Sequence, residues 1–122
     1  MPKPAEHLAR ARQNLRFAES FDLDKTEYLD WVVTAYFYAA LHLVDALLYF
    51  RDHLDPPIHE VRRDSVRTKP YLQAINHQYK ELKDRSEDAR YRIIPFTKAQ
   101  VEKDVIPLYR KIEAHILPLL PK

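Results

Sequence analysis

The chain has 122 residues, 46% of them hydrophobic and 31% charged, with a net charge of +2 and neither cysteine nor glycine. That length suits a single domain spanning 1–122 with a real core, and the composition excludes disorder as the default state. The missing cysteines exclude disulfides, thiolate metal sites and a cysteine nucleophile, the missing glycines argue against primed hairpin turns and phosphate-cradling loops, and so small a net charge does not of itself point to nucleic acid.

Five helical segments follow in order. The first is expected from about Pro4 to Ser20, with Leu8, Ala11, Leu15 and Ala18 on one face. "FDLDKTE" interrupts it, and Asp24 with Glu27 has the spacing of a capping box that opens the second helix. That helix, the longest, is expected to run to about Arg51 and to end at "HLDPP", because paired prolines cannot continue it. A short third helix is expected from Ile58 to Arg67, broken by "TKP". The fourth is expected from about Pro70 to Tyr91, with Leu72, Ile75, Tyr79, Leu82, Ser86 and Ala89 at alternating steps of three and four. "RIIPF" reads as a loop that docks its apolar residues on the bundle. Thr97 with Gln100 is a second capping box, and Val101, Val105, Leu108, Ile112, Ile116 and Leu119 form the inner face of the last helix, which Pro107 should kink. No strand pattern competes. The fold expected is all-α, an up-and-down bundle of four or five helices.

The run from Trp31 to Phe50 approaches membrane-spanning length, but Thr34, His42 and Asp45 lie inside it and charged stretches flank it. A carboxylate in lipid is costly, so a buried helix and no membrane association are expected. The N-terminal stretch "MPKPAEHLARAR" lacks the apolar run of a signal peptide, and a cytoplasmic location fits both this and the missing cysteines. A helix apolar on most of its circumference is buried on most sides, more than one small chain is expected to cover, so a homodimer is expected.

Asp30, Thr34, Tyr38, His42, Asp45 and Tyr49 form a polar stripe along this helix. His42 and Asp45 are one turn apart and could hydrogen-bond, which would orient the imidazole and raise its pKa. On one reading the pair is satisfied in the core or fixes register across an interface. On the other it lines a cleft and His42 takes part in binding or proton transfer. His59 and Arg62 are also one turn apart, at a helix N-terminus that favours anions. Arg90 and Tyr91 could supply a guanidinium for phosphate and a ring for base stacking. The bland alternative is that His59 caps or packs while Arg62 and Arg90 pair with acids such as Glu60 and Asp88. No cofactor is implied, and no metal site stands out: His53 and His59 are separated by a proline turn, and His77 with Glu81 is more often a surface contact.

"DWVVTAYFYAALHLVDALL" on a long helix, then "HEVRRDSV" after a loop, then "YKELKDRSEDARYR" closing a later helix together resemble a HEPN domain. The similarity covers roughly Ala5 to Tyr91 in order. The resemblance implies a dimerising helical bundle. It also implies one of two activities: metal-independent RNA cleavage by a toxin or defence effector, or non-catalytic binding of RNA or a nucleotide beside a nucleotidyltransferase or antitoxin partner. RNase members carry an arginine, four to six residues, then a histidine. The match to that spacing here is Arg110 to His115, late in the last helix and about 140° apart around a straight helix. Binding of RNA or a nucleotide in an inter-subunit cleft is therefore the first expectation, with His42, Asp45, His59, Arg62, Arg90, Tyr91 and Tyr38 as its candidate residues. An active RNase and a bare dimerisation module are the alternatives.

Overall fold

The computed structural model describes residues 3–92 and 94–121. Among these there is no strand. Helix α1 spans Pro4–Glu19, α2 Leu29–Asp52, α3 His59–Thr68 and α4 Asn76–Tyr91, and α5 (Lys98–Gln100) runs on without a break into α6 (Ile106–Ile116). The molecule is an all-helical bundle built around α2. Helix α1 lies along α2 over most of its own length, and α4 and α6 pack on the other sides of α2 and on each other.

Why α2 is central follows from its residues. Fifteen of them, from Val32 to Leu48, are buried, and Val32, Val33, Phe37, Ala39, Ala40, Val44, Ala46, Leu47 and Leu48 are fully so. One chain therefore covers nearly all of this helix. The reason given above for a second copy does not hold, because α1, α4 and α6 together enclose it. Helix α2 is long and apolar enough to cross a membrane by length and composition, yet here its apolar side chains are the core of a bundle.

The helix ends depart from expectation in instructive ways. Helix α2 opens at Leu29 behind Tyr28, with no side-chain cap, so Asp24 and Glu27 are not its capping box. Asp24 instead pairs with Lys98 across the molecule. At its other end His53 takes the left-handed conformation, φ 52°. The His53 N–H meets Tyr49 O at 2.9 Å and the Leu54 N–H meets Leu48 O at 3.3 Å, a Schellman-type stop that closes the helix before the prolines are reached. Helix α4 begins at Asn76, later than expected, because a 3₁₀ turn over Gln73–Ile75 precedes it. Leu72, Ile75, Tyr79, Leu82 and Ser86 are buried as the spacing requires.

The Thr97–Gln100 capping box forms in both directions: the Gln100 N–H donates to Thr97 Oγ1 at 3.1 Å, and the Thr97 N–H donates to Gln100 Oε1 at 2.8 Å. The Pro107 kink takes the form of a π turn over Val101–Val105, in which the Ile106 N–H reaches back to Val101 O. A proline ring crowds the carbonyl four residues earlier, and a widened turn relieves that clash. In the segment expected to dock its apolar residues, Phe96 packs on the core, Ile94 is exposed, and Ile93 lies outside the described residues.

Candidate functional site

Along the polar stripe of α2, Tyr38, His42 and Asp45 find partners on three different elements, α4, α1 and α3. Nearest the N-terminus, Thr34 Oγ1 donates to Asp30 O at 2.9 Å, a purely local bond. One turn on, the Tyr38 hydroxyl accepts from Arg90 at 2.9 Å. His42 meets His7 of α1, the two Nδ1 atoms 3.2 Å apart. Asp45 meets Arg62 of α3: Nε donates to Oδ1 at 2.6 Å and Nη2 to Oδ2 at 2.9 Å, both bonds buried. Tyr49 stacks edge-on against His53.

His42 and Asp45 thus do not pair with each other as their spacing suggested. Asp45 is held by a stronger, bidentate partner, and His42 turns to α1. The expected rise in the His42 pKa is also reversed. Burial, and then the charges of His7, Arg10 and Arg62, push it down to about 4, so the ring is neutral at physiological pH. Burial raises the Asp45 pKa, and the Arg62 bonds oppose that rise. Beside them the Tyr79 hydroxyl is buried with no hydrogen-bond partner, and burial raises its pKa.

Arg62 is fully committed. Besides its two bonds to Asp45, its Nη1 lies 3.3 Å from His59 Nδ1. A guanidinium can only donate, so His59 Nδ1 accepts and the neutral ring carries its proton on Nε2. His59 thereby presents an N–H donor toward solvent. Burial lowers its pKa first, and Arg62, Arg90 and Lys83 lower it further. The acids proposed as partners for Arg62 and Arg90 are engaged elsewhere: Glu60 lies near Arg63, and Asp88 binds Arg92 at 3.1 Å.

Arg90 is the least conventional group in the neighbourhood. Its guanidinium lies 4.8 Å from the Tyr91 ring centroid, 5.5 Å from that of Tyr38 and 5.6 Å from that of Phe37. Ser86 holds it from below, through the carbonyl and the hydroxyl, each at 3.3 Å. Among the described residues no carboxylate lies within ion-pair distance of it. The ring of Phe37 also lies 6.3 Å from that of His59, so the His59–Arg62–Asp45 cluster and the Arg90 cluster share one wall. A groove of about 680 Å³ opens beside Arg90, lined by Arg90, Tyr91, Arg92, Glu27, Asp30 and Phe96 among others.

The structure therefore brings His42, Asp45, His59, Arg62, Arg90, Tyr91 and Tyr38 into one region. Arg110 and His115 lie apart from it and from each other in role. Arg110 binds Glu113 at 2.9 Å and Glu19 at 3.3 Å. His115 Nε2 donates to Tyr71 O at 2.8 Å, pinning α6 to the start of the 3₁₀ turn. Sequence reading overlooked His7, whose ring is buried against His42. Its signal was present, since His7 stands one turn before Ala11 on the inner face of α1. No family model, curated protein or solved structure matches this chain.

Proposed function

We propose that this chain is a HEPN-like homodimeric helical protein that binds RNA or a nucleotide at the Arg90 face without cutting it, as one component of a toxin–antitoxin or defence pair with an antitoxin or nucleotidyltransferase partner. The observation that carries the binding reading is Arg90 itself. A guanidinium stacked on three aromatic rings, with no ion-paired carboxylate, lines a groove with its charge not neutralised. Its nitrogens bond only neutral oxygens, of Ser86, Tyr38 and Tyr91, so its charge and its one remaining N–H suit a phosphate oxygen, and Tyr91, 74% exposed, offers a ring for a base. Glu27 and Asp30 on the same groove can accept from exocyclic amino groups. Tyr28 and Trp31, exposed and interleaved with the lining residues, are the surface on which a second copy closes the groove into an inter-subunit cleft.

Binding is favoured over cleavage for a geometric reason. A metal-independent RNase needs an arginine free to meet charge developing on the phosphate. Arg62 is neutralised by Asp45 and Arg110 by Glu113 and Glu19, while Arg90, which lacks such a carboxylate, has no histidine among its hydrogen-bond partners to act as base. The test uses end-labelled RNA and a labelled nucleotide, in chelator, with wild type and the Arg90→Ala, His59→Ala and His115→Ala variants. Saturable binding that Arg90→Ala weakens about tenfold or more, with the RNA intact, supports the proposal. Cleavage that a histidine variant abolishes makes the chain an RNase. No affinity for either probe leaves a bare interaction module.

A further inference from the structure

The geometry points to a binding site for one divalent transition-metal ion of the zinc class, formed by His7 and His42 with Asp45, at the junction of α1 and α2. One ligand atom from each of these three residues lies within 4.8 Å of the others. The two Nδ1 atoms face each other at 3.2 Å. Two nitrogens on a tetrahedral ion with Zn–N bonds of about 2.0–2.1 Å stand roughly 3.3–3.4 Å apart, so the imidazoles already hold nearly the required bite.

The second observation is an orphaned atom. His7 is 6% exposed, and its Nε2 has no hydrogen-bond partner. The nearest acceptor is the Asp55 carboxylate at 3.5 Å. If His7 donates from Nδ1 to His42, its Nε2 lone pair faces the Asp55 carboxylate. Metal on both Nδ1 atoms fixes the other tautomer, in which both rings carry Nε2–H and His7 presents a donor to Asp55. A ligating histidine whose second nitrogen is steered by a carboxylate is a common outer-shell arrangement.

Asp45 fits the same scheme. Each of its oxygens accepts one bond from Arg62, and a carboxylate has lone pairs left for an ion. Arg62 then orients the ligand carboxylate as Asp55 orients His7. Asp45 and Asp55 supply negative charge around the ion, set against the guanidinium of Arg62 and the nearby charge of Arg10. Two imidazole nitrogens select a transition metal over calcium or magnesium. The ion would tie together α1, α2 and the loop that carries Asp55.

The experiment titrates chelator-treated protein with Zn²⁺ by calorimetry, follows thermal unfolding with and without the ion, and records the visible spectrum with Co²⁺. Expected are one ion per chain, a raised Tm and a Co²⁺ absorption band. All three are lost in His7→Ala and His42→Ala and unchanged in His77→Ala, whose ring is exposed elsewhere. Asp55→Asn should bind about 10–100-fold more weakly. Circular dichroism reports whether each variant folds. If the histidine variants do not fold, Asp55→Asn decides: undiminished affinity overturns the site. So does the absence of stoichiometric binding by folded wild type, or binding that survives in folded His7→Ala and His42→Ala.

Discussion

Asp45 is 2% exposed on a helix made otherwise of aliphatic and aromatic side chains, and it is tolerable there because Arg62 reaches in from α3 to hold both of its oxygens. A buried charge is costly alone and roughly neutral when paired. Asp45→Ala or Arg62→Ala should therefore cost about 3–5 kcal/mol in urea unfolding, each leaving one uncompensated charge. The double variant Asp45→Leu/Arg62→Met should lose much less than the two singles summed, and an additive loss would show that the pair does not act as a unit. Arg90 makes the complementary case, a cation held by rings rather than by an acid. Arg90→Lys should fail to restore nucleotide affinity lost in Arg90→Ala, since an ammonium cannot stack or fork; anisotropy titrations at fixed salt measure this. His59 adds a pH dependence of defined sign. Its native pKa lies below the ordinary value, chiefly through burial and then through Arg62, Arg90 and Lys83, with Asp45 opposing. As pH falls below about 6.5, the unfolded chain takes up a proton that the native imidazole resists, so this residue's contribution to stability is present above that pH and declines below it. Because Nδ1 already accepts from Arg62, the imidazolium is disfavoured here, and His59→Asn should flatten the fall in the urea midpoint between pH 7.5 and 5.5.

At the scale of the helices, the stop of α2 and the bend before α6 are both solved without glycine. His53 occupies a left-handed position that costs a non-glycine residue about 1–2 kcal/mol. His53→Gly should recover about 0.5 kcal/mol after the added freedom of the unfolded chain is counted, seen as a small rise in the urea midpoint. A drop would mean that the edge-on contact between His53 and Tyr49 matters more than the backbone strain. Helix α3 is the most lightly packed of the longer helices. It rests on α4 and the 3₁₀ turn, and its strongest tie to α2 is the Arg62 side chain. What positions His59 at the edge of the Arg90 wall is therefore one buried ion pair. Periodicity revealed these helices because burial recurs every three or four residues. It could not locate their ends, which depend on an uncapped start behind Tyr28, a Schellman stop and a 3₁₀ turn that no spacing rule encodes.

For the whole molecule, the decisive fact is that α2 is enclosed by its own chain. A monomer enclosed in this way should unfold at a midpoint independent of protein concentration over at least a hundredfold range, whereas the proposed homodimer, if it dissociates on unfolding, should show a midpoint that rises with concentration by mass action. Because α2 is covered by its own chain, a monomer obtained on dilution should stay folded, as circular dichroism would show. The hydrophobic pattern determined that this chain is helical and which residues of α2 and α4 point inward, the capping-box spacing placed Thr97 and Gln100 at a helix start, and proline chemistry required that Pro107 distort one. Those are consequences of backbone geometry and of apolar side chains avoiding water, and both act locally along the chain. Which polar residues on α2 would meet which partners was settled only by tertiary packing. Asp45 with Arg62 spans 17 residues, His42 with His7 spans 35 and Tyr38 with Arg90 spans 52. Local spacing favoured His42 with Asp45, one turn apart. A guanidinium that can satisfy both oxygens of a buried carboxylate outcompetes a neutral imidazole that can satisfy one, and that contest is decided by which helices the fold brings side by side.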